Sequence, residues 1–266
     1  MTLFDRGRHN ATPAVPPPTE IILSEIREIA SRTEKLQNAI REIADRTEDL
    51  QSRGDDRTRH IFHYLYDVAK KESADFIYQN LHSAVLLHSH LDLLEYALKK
   101  ASAGDVIEFG VFQATSTNHI AKVIAPAKIY GFDSFQGLRE DWVGHVALAG
   151  GFDLNSQLPE VEENVTLVPG WVQDTLPPFL ADRPKKSVAF VHFDLDTYES
   201  SKYALATVAP WLADRAIFVF DEYHSFPGWK VGEKLAFEEW LPTSGYAAKF
   251  IGFSWEQAAV EVTRIQ

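Results

Sequence analysis

Short apolar runs alternate with helical patterns from residue 105 to the C-terminus, and this alternation constrains the fold more than any other feature. The strand candidates are residues 106–111, 128–135, 165–170, 187–196, 216–223, 247–254 and 258–265, and helical patterns fit residues 116–125, 199–213 and 231–241. Strands that are apolar throughout are typical of a parallel sheet covered by helices on both faces. The last two strand candidates have no helix between them and should pair as a hairpin. The pattern therefore predicts an α/β fold with a mostly parallel seven-stranded sheet and a C-terminal antiparallel hairpin.

A heptad repeat precedes this region, because residues 25–37 recur almost unchanged as residues 39–51. The positions that alternate spacings of three and four are Ile26, Ile29, Thr33, Leu36, Ile40, Ile43, Thr47 and Leu50. We therefore expect residues 21–52 to form a coiled-coil helix through which copies of the chain self-associate. Isoleucine at both seam positions favours more than two strands, whereas the threonines weaken that preference. The alternative is a single amphipathic helix that lies on the globular domain.

Two further segments complete the expected organisation of the chain. Residues 1–20 are polar and proline-rich, which predicts a disordered leader. Residues 55–103 carry longer apolar helical patterns and are expected to form a helical cap region before the strand-rich domain of residues 104–266.

Composition excludes several classes of protein. The net charge is −12 and no block is rich in Lys or Arg, which argues against a nucleic-acid partner. No apolar run reaches the roughly 18 residues of a membrane span, and the N-terminus lacks a signal-peptide core. Cysteine is absent, which excludes disulfides, zinc–thiolate sites and a cysteine nucleophile. We expect a cytoplasmic protein.

Acidic residues follow the ends of several strand candidates. They are Glu108 in the first strand, Asp133 in the second, Asp194 and Asp196 in the fourth, and Asp221 and Glu222 in the fifth. Ligands of open parallel sheets bind beyond the carboxyl ends of the strands, so these side chains should meet in one site.

The set Asp194, Asp221 and Glu222 offers hard oxygen ligands, which suit Mg²⁺ or a similar divalent ion. Such an ion would bind a substrate hydroxyl and lower its pKa, and a carboxylate would take the proton. The alternative is a hydrogen-bonded acidic cleft without a metal.

The stretch VIEFGVFQATSTNHIA (106–121) predicts a strand, the single glycine Gly110, and the start of a helix. A dinucleotide-binding turn would carry further glycines where this chain has Ala114, Thr115 and Ser116. Asp133 lies 23 residues beyond Gly110, where an acidic residue binds ribose hydroxyls; a capping or solvated carboxylate is the alternative. The stretch therefore argues against a dinucleotide cofactor.

Other motifs give weaker signals. His82, His88 and His90 do not predict one metal site, because helix residues two positions apart point about 200° apart. The D-x-D of residues 194–196 is compatible with a metal-dependent glycosyltransferase, which stays an alternative. Residues 136–164 are long enough to form a lid, with Trp142 and Phe152 facing the substrate. A self-packed surface excursion is the other interpretation of that segment.

From about residue 74 onward, the chain resembles the class I S-adenosylmethionine-dependent O-methyltransferases of the macrocin/mycinamicin type. The matching stretches are SHLDLLEYAL (89–98), IEFGVFQATSTNHIA (107–121), IYGFDSFQGL (129–138), PGWVQDTLPPFL (169–180), HFDLDTYESSKYAL (192–205) and VFDEYHSFPGWKVGEKLAF (219–237). The resemblance implies a Rossmann-like methyltransferase fold over residues 104–266, S-adenosylmethionine as methyl donor and a divalent metal, commonly Mg²⁺. It also implies a hydroxyl of a sugar or glycosylated small molecule as acceptor.

The resemblance also implies roles for individual residues. Asp194 would be a metal ligand and the catalytic base, with Asp221 and Glu222 completing the metal site, although many relatives carry two aspartates there. The residues implied to bind the cofactor are Glu108, Gly110, Asp133 and Ser134, with Trp171 and Asp174 near the adenine. The donor has no phosphate, so Gly110 alone suffices at the turn, and Ser116 is expected to bond the helix start or the donor's amino-acid end. The alternative function is a degenerate methyltransferase fold used for binding or assembly and organised by the coiled coil.

Overall fold

The computed structural model describes residue 32 and residues 57–265. The chain divides into two compact units, residues 1–61 and residues 62–266, and the sheet described below belongs to the second. Apart from Arg32, which is helical, the predicted leader (1–20) and the predicted coiled coil (21–52) lie outside the described residues. None of the helices in the described part of the chain is long and apolar enough to cross a membrane.

Helices and strands alternate along the described chain, except that β3 is followed directly by β4 and β7 by β8. The elements are α1 (Arg57–Asn80), β1 (Val85–Leu86), α2 (His90–Leu98), β2 (Asp105–Phe109), α3 (Thr115–Ile124), β3 (Ile129–Asp133), β4 (Val165–Pro169), α4 (Val172–Ala181), β5 (Val188–Phe193), α5 (Tyr198–Val208), β6 (Leu212–Phe220), α6 (Glu233–Ser244), β7 (Tyr246–Phe253) and β8 (Ala258–Arg264). A short 3₁₀ turn, Ala209–Trp211, joins α5 to β6.

The strands form one mixed sheet in the order β1-β7-β8-β6-β5-β2-β3-β4. Strand β8 runs antiparallel to β6 and β7, while the other neighbours are parallel. The predicted α/β fold and the C-terminal antiparallel hairpin are therefore confirmed. The predicted number of strands was wrong, because Val85–Leu86 adds an eighth strand beside β7. A two-residue strand is too short to give a period-two pattern.

The central strands are apolar because both faces of the sheet are covered. All residues of β5 are buried, as are the last five of β6. One face packs phenylalanines such as Phe193 and Phe220, whose rings stack at 4.9 Å, against the layer that includes α5 and α6. The other face packs Phe190 and Ile217 against α2 and α3. Each such side chain contributes roughly 1.5–3 kcal/mol by burial, so the register of the sheet is firmly set.

This register brings the ends of β2, β5 and β6 together. Phe109 pairs with Phe193, which in turn pairs with Phe220. The N–H of Asp194 donates to the carbonyl of Phe109 at 2.8 Å, and the N–H of Asp221 donates to that of Phe193 at 2.9 Å. The residues that follow these strands therefore share one edge of the sheet.

Candidate active site

A cleft of about 260 Å³ opens at this edge of the sheet. Among the residues with predicted roles, those that line it are Gly110, Asp133, Ser134, Trp171, Asp194 and Glu222. The others lie outside its lining: Glu108 and Ser116 are buried, Asp174 is exposed in the first turn of α4, and Asp221 stands next to Glu222. The structure thus brings the predicted cofactor turn and two of the three predicted metal ligands, Asp194 and Glu222, into one cavity.

The turn after β2 requires glycine at position 110. Gly110 has φ +87°, and a Cβ on it would lie 1.7 Å from the carbonyl oxygen of Asp194. Ala114 also adopts a left-handed conformation, with φ 61°, immediately before α3. Its methyl group is buried with Val111 and Phe135 and is not part of the cleft lining. The backbones that follow β2 and β5 therefore approach each other closely at Gly110.

Asp133 organises the same turn through its carboxylate. One oxygen accepts the N–H groups of Val111 and Phe112, each at 2.8 Å, and the other accepts the N–H of Phe135 at 2.6 Å. A carboxylate has about four acceptor positions, so one is left for a ligand hydroxyl.

The carboxylates of Asp194, Asp221 and Glu222 each place an oxygen within 4.8 Å of the others. Burial, together with the charge of Asp221, raises the pKa values of Asp194 and Glu222. Burial alone would also raise the pKa of Asp221, but the neighbouring His192 and His90 hold it below its usual value. Glu222 has a buried Oε2 without a hydrogen-bond partner among the described residues. An all-oxygen donor set with an unused buried ligand atom fits a hard divalent cation.

Two further acidic residues lie near this cluster. The sequence analysis placed Asp196 at this edge of the sheet without giving it a role, and it missed Glu233. Asp196 lines the cleft with a left-handed backbone, φ 61°, and burial followed by the charge of Asp221 raises its pKa to about 8. Glu233 is fully buried at the start of α6 and accepts the N–H groups of Leu195 at 3.1 Å and Glu222 at 3.2 Å. The D-x-D motif was a signal for Asp196, whereas nothing in the sequence pattern marked Glu233.

A histidine pair, the fully buried His192 and the partly exposed His90, stands behind the cluster, and the sequence analysis gave neither a site role. His192 is fully buried, and its Nδ1 lies 2.9 Å from Oε1 of Glu108. Glu108, predicted to line the cofactor, instead lies behind the cleft wall, where its other oxygen accepts the hydroxyl of Thr117. Nε2 of His90 lies 3.1 Å from Oδ1 of Asp221. His82 lies in a turn and His88 in a bend before α2, and both are exposed, so the helical spacing assumed for these histidines does not apply.

Aromatic side chains form the remaining walls of the cleft. Trp142 and Phe152, from the predicted lid, both line it, with ring centroids 6.3 Å apart. The guanidinium of Arg139 lies 4.6 Å from the ring centroid of Trp171, on the side where the cofactor's adenine is expected. The long segment after β3 therefore contributes directly to the cavity.

Comparisons with known proteins agree with this fold. Residues 107–223 match a family model described as "Methyltransferase domain". Among solved structures, that of CalS11, a calicheamicin methyltransferase, is similar with a TM-score of 0.52 and 23% identity, covering 97% of this chain and 98% of that one. The fold is the Rossmann-like methyltransferase fold. The segment matched by the family model extends from β2 to the loop after β6, and it contains every residue with a predicted site role.

One curated relative is similar in sequence. It is the "8-demethyl-8-(2,3-dimethoxy-alpha-L-rhamnosyl)-tetracenomycin-C 4'-O-methyltransferase" of Streptomyces olivaceus, which is 27% identical over an alignment that covers 50% of this chain. The alignment spans 59% of that relative, which is less than two thirds of its length.

Proposed function

We propose that this protein is an S-adenosylmethionine-dependent, divalent-metal-dependent O-methyltransferase that acts on a hydroxyl of a sugar or glycosylated small molecule. One observation carries the proposal: Gly110 and Asp133 of the donor side line the same cleft as Asp194 and Glu222 of the acceptor side, within a methyltransferase fold. The names of the similar proteins, a rhamnosyl O-methyltransferase and a calicheamicin methyltransferase, support a sugar-bearing natural product as acceptor. We place the chain with the macrocin/mycinamicin type on the motifs quoted above.

The methyl donor would bind at the side of the cleft where the turns after β2 and β3 meet. Gly110 permits close approach of the donor, Asp133 keeps one acceptor position for a ribose hydroxyl, and Ser134 lies beside it. Trp171 would flank the adenine, and Asp174, exposed in the first turn of α4, would lie near it. Ser116 and Glu108, which lie outside the lining, would hold the first turn of α3 and the end of β2 in place.

The acceptor side would be governed by the acidic cluster. Asp194, Asp221 and Glu222 would hold a hard divalent ion such as Mg²⁺. When bound, such an ion acts as a Lewis acid and lowers the pKa of the acceptor hydroxyl. Asp194 accepts the proton of the acceptor hydroxyl while the S–CH₃ bond breaks and the O–CH₃ bond forms, and S-adenosylhomocysteine leaves. Trp142 and Phe152 exclude water from the acceptor side and orient the acceptor ring.

The test is an Asp194→Asn variant. Turnover of a labelled methyl donor with a panel of rhamnosylated acceptors should fall by about 10²–10⁴-fold, because the general base is lost. Calorimetry should show affinity for S-adenosylhomocysteine within about threefold of the parent, because Asp133 and Trp171 are untouched. Asp182→Asn, an exposed aspartate at the end of α4, is the matched control. Full turnover in Asp194→Asn would exclude its role as base.

The same calorimetry separates the proposed enzyme from a protein that uses a degenerate methyltransferase fold for binding or assembly. A parent protein that fails to bind S-adenosylhomocysteine at millimolar concentration would favour that second function. The heptad repeat of residues 21–52 supports self-association, which we propose for either function.

A further inference from the structure

His90, His192 and Asp221 converge behind the acidic cluster, next to the ligand set described above. Oδ1 of Asp221 lies 3.1 Å from Nε2 of His90 and 3.7 Å from Nε2 of His192. The two imidazole rings have centroids 5.2 Å apart and are tilted by 34°. The three side chains can therefore present one ligand atom each to a common point, since all three atoms lie within 4.8 Å of one another.

Both Nε2 atoms are buried and have no hydrogen-bond partner among the described residues. Buried polar atoms of this kind are normally satisfied, so an unpaired nitrogen in a fully buried histidine such as His192 requires a physical cause. Glu108 is part of that cause, because it determines which ring nitrogen of His192 carries the proton. Its Oε1 holds Nδ1 of His192 at 2.9 Å, which places the ring proton on Nδ1 and leaves a lone pair on Nε2.

That lone pair faces a carboxylate oxygen, which is also an acceptor. Only a proton or a metal cation between the two atoms removes this conflict. The 3.7 Å separation is longer than the roughly 2.7–3.2 Å of an N–H···O hydrogen bond. In a tetrahedral site with bonds of about 2.0–2.1 Å, the ligand atoms lie about 3.3 Å apart. The distances from Oδ1 of Asp221 to Nε2 of His90, 3.1 Å, and to Nε2 of His192, 3.7 Å, lie on either side of that value.

We propose that His90, His192 and Asp221 form a second cation site, which takes a borderline divalent metal such as Zn²⁺ or Co²⁺. Two imidazoles and one carboxylate select such ions, whereas Asp194 and Glu222 select hard ions. Glu108 behind His192 is the outer-shell carboxylate that commonly orients a metal-binding histidine. The site shares Asp221 with the proposed magnesium site, but it requires neither methyl transfer nor donor binding.

The experiment titrates Co²⁺ into the chelator-treated full-length chain and follows visible absorption, with Zn²⁺ competition for affinity. The parent should bind Co²⁺ with the absorption of a nitrogen-ligated ion that Zn²⁺ displaces and excess Mg²⁺ does not. His90→Gln should weaken Zn²⁺ binding by at least about 10–100-fold, since loss of a ligand costs no less than loss of an outer-shell partner. His90 is the residue changed because it is partly exposed, with 26% of its side chain accessible, whereas His192 lies in the core.

Two matched variants make the result decisive. His88→Gln, the same substitution at an exposed histidine two residues earlier, should leave the Co²⁺ spectrum and the Zn²⁺ affinity unchanged. Asp194→Asn should retain the Co²⁺ absorption, because Asp194 is not a ligand of this site. Absence of Zn²⁺ or Co²⁺ binding by the parent would overturn the proposal. So would an unchanged spectrum in folded His90→Gln, or loss of the absorption in Asp194→Asn, which would indicate one oxygen-based site.

Discussion

At the scale of single residues, Glu233 joins the two loops that carry the acidic cluster. Its Oε1 accepts the N–H of Leu195, which follows Asp194, and its Oε2 accepts the N–H of Glu222. The side chain is fully buried, so no water replaces either bond. Because one carboxylate holds both loops, Glu233 fixes the distance between the two groups of proposed metal ligands without facing the cleft itself.

Glu233→Gln should therefore destabilise the protein and loosen the cluster. The amide keeps the size of the side chain but has one acceptor oxygen, so one buried N–H is left facing an NH₂ group. The free energy of unfolding should fall by about 1–3 kcal/mol, the cost of an unsatisfied buried donor. Urea unfolding at pH 6 measures it. Burial raises the pKa of Glu233 to about 8, so the parent side chain is neutral at that pH, as the amide is, and the comparison contains no buried charge. Glu163→Gln, at an exposed position before β4, should change stability by less than about 0.5 kcal/mol. Equal stability of the two variants would contradict the bridging role.

The residues of the site differ in how far the sequence could predict them. Asp194, Asp221 and Glu222 were identifiable because each follows an apolar strand, and parallel strands bring their ends together. His90 and Glu233 lie at the starts of helices that tertiary packing places against those strands. Neither position breaks a periodic pattern, so no local signal identifies it. Long-range placement of helix ends is therefore the part of the site that sequence reasoning missed.

At the scale of elements, the strands were easier to predict than their surroundings. The burial of β5 and β6 on both faces produces long apolar runs, and from these runs the central strands of the sheet could be predicted. Helix α4 was not among the predicted helices, because Pro177 and Pro178 stand inside it and proline normally interrupts a helix. The turn from β2 to α3 was predicted to need only one glycine, and its geometry shows which substitutions it tolerates.

Two reciprocal substitutions test that turn. Gly110→Ala should lower the free energy of unfolding by about 3 kcal/mol or more, because its Cβ would lie 1.7 Å from the backbone oxygen of Asp194. Ala114→Gly relieves roughly 1–2 kcal/mol of left-handed strain. It also loses a buried methyl group worth about 0.8 kcal/mol and adds about 0.4–1 kcal/mol of unfolded-chain entropy. Its net change should therefore stay within about 1 kcal/mol in urea unfolding.

Calorimetry with S-adenosylhomocysteine completes the comparison of the two variants. Ala114→Gly should bind with parental affinity, because Ala114 does not line the cleft. Any folded Gly110→Ala protein should bind more weakly, since its strand end must shift. A large loss of affinity in Ala114→Gly would show that the turn acts on the donor through position 114.

At the scale of the whole molecule, several of the acidic side chains are buried, where their charges reduce the stability of the folded state. The chain has a net charge of −12, and part of this excess is buried around one cleft. Burial, with repulsion from neighbouring carboxylates, raises the pKa values of Asp194 and Glu222, and it raises those of Asp196 and Glu233 to about 8. Such a set of like charges reduces the stability of the folded state unless a cation neutralises it. Binding of a divalent ion should therefore stabilise the whole fold.

Thermal unfolding with and without Mg²⁺ measures this coupling. A ligand present at 100 times its Kd adds about 2.7 kcal/mol to the stability of the folded state. For a domain of this size that corresponds to a rise in Tm of roughly 5–10 °C relative to EDTA-treated protein. Sodium chloride at matched ionic strength should give no comparable rise in Tm, because screening does not place a divalent cation against the carboxylate of Glu222. Asp194→Asn should lose most of the Mg²⁺-dependent rise, since it removes one of the oxygen ligands. An equal rise with NaCl, or an undiminished rise in Asp194→Asn, would show that the ion acts on the general surface charge and not at the cluster.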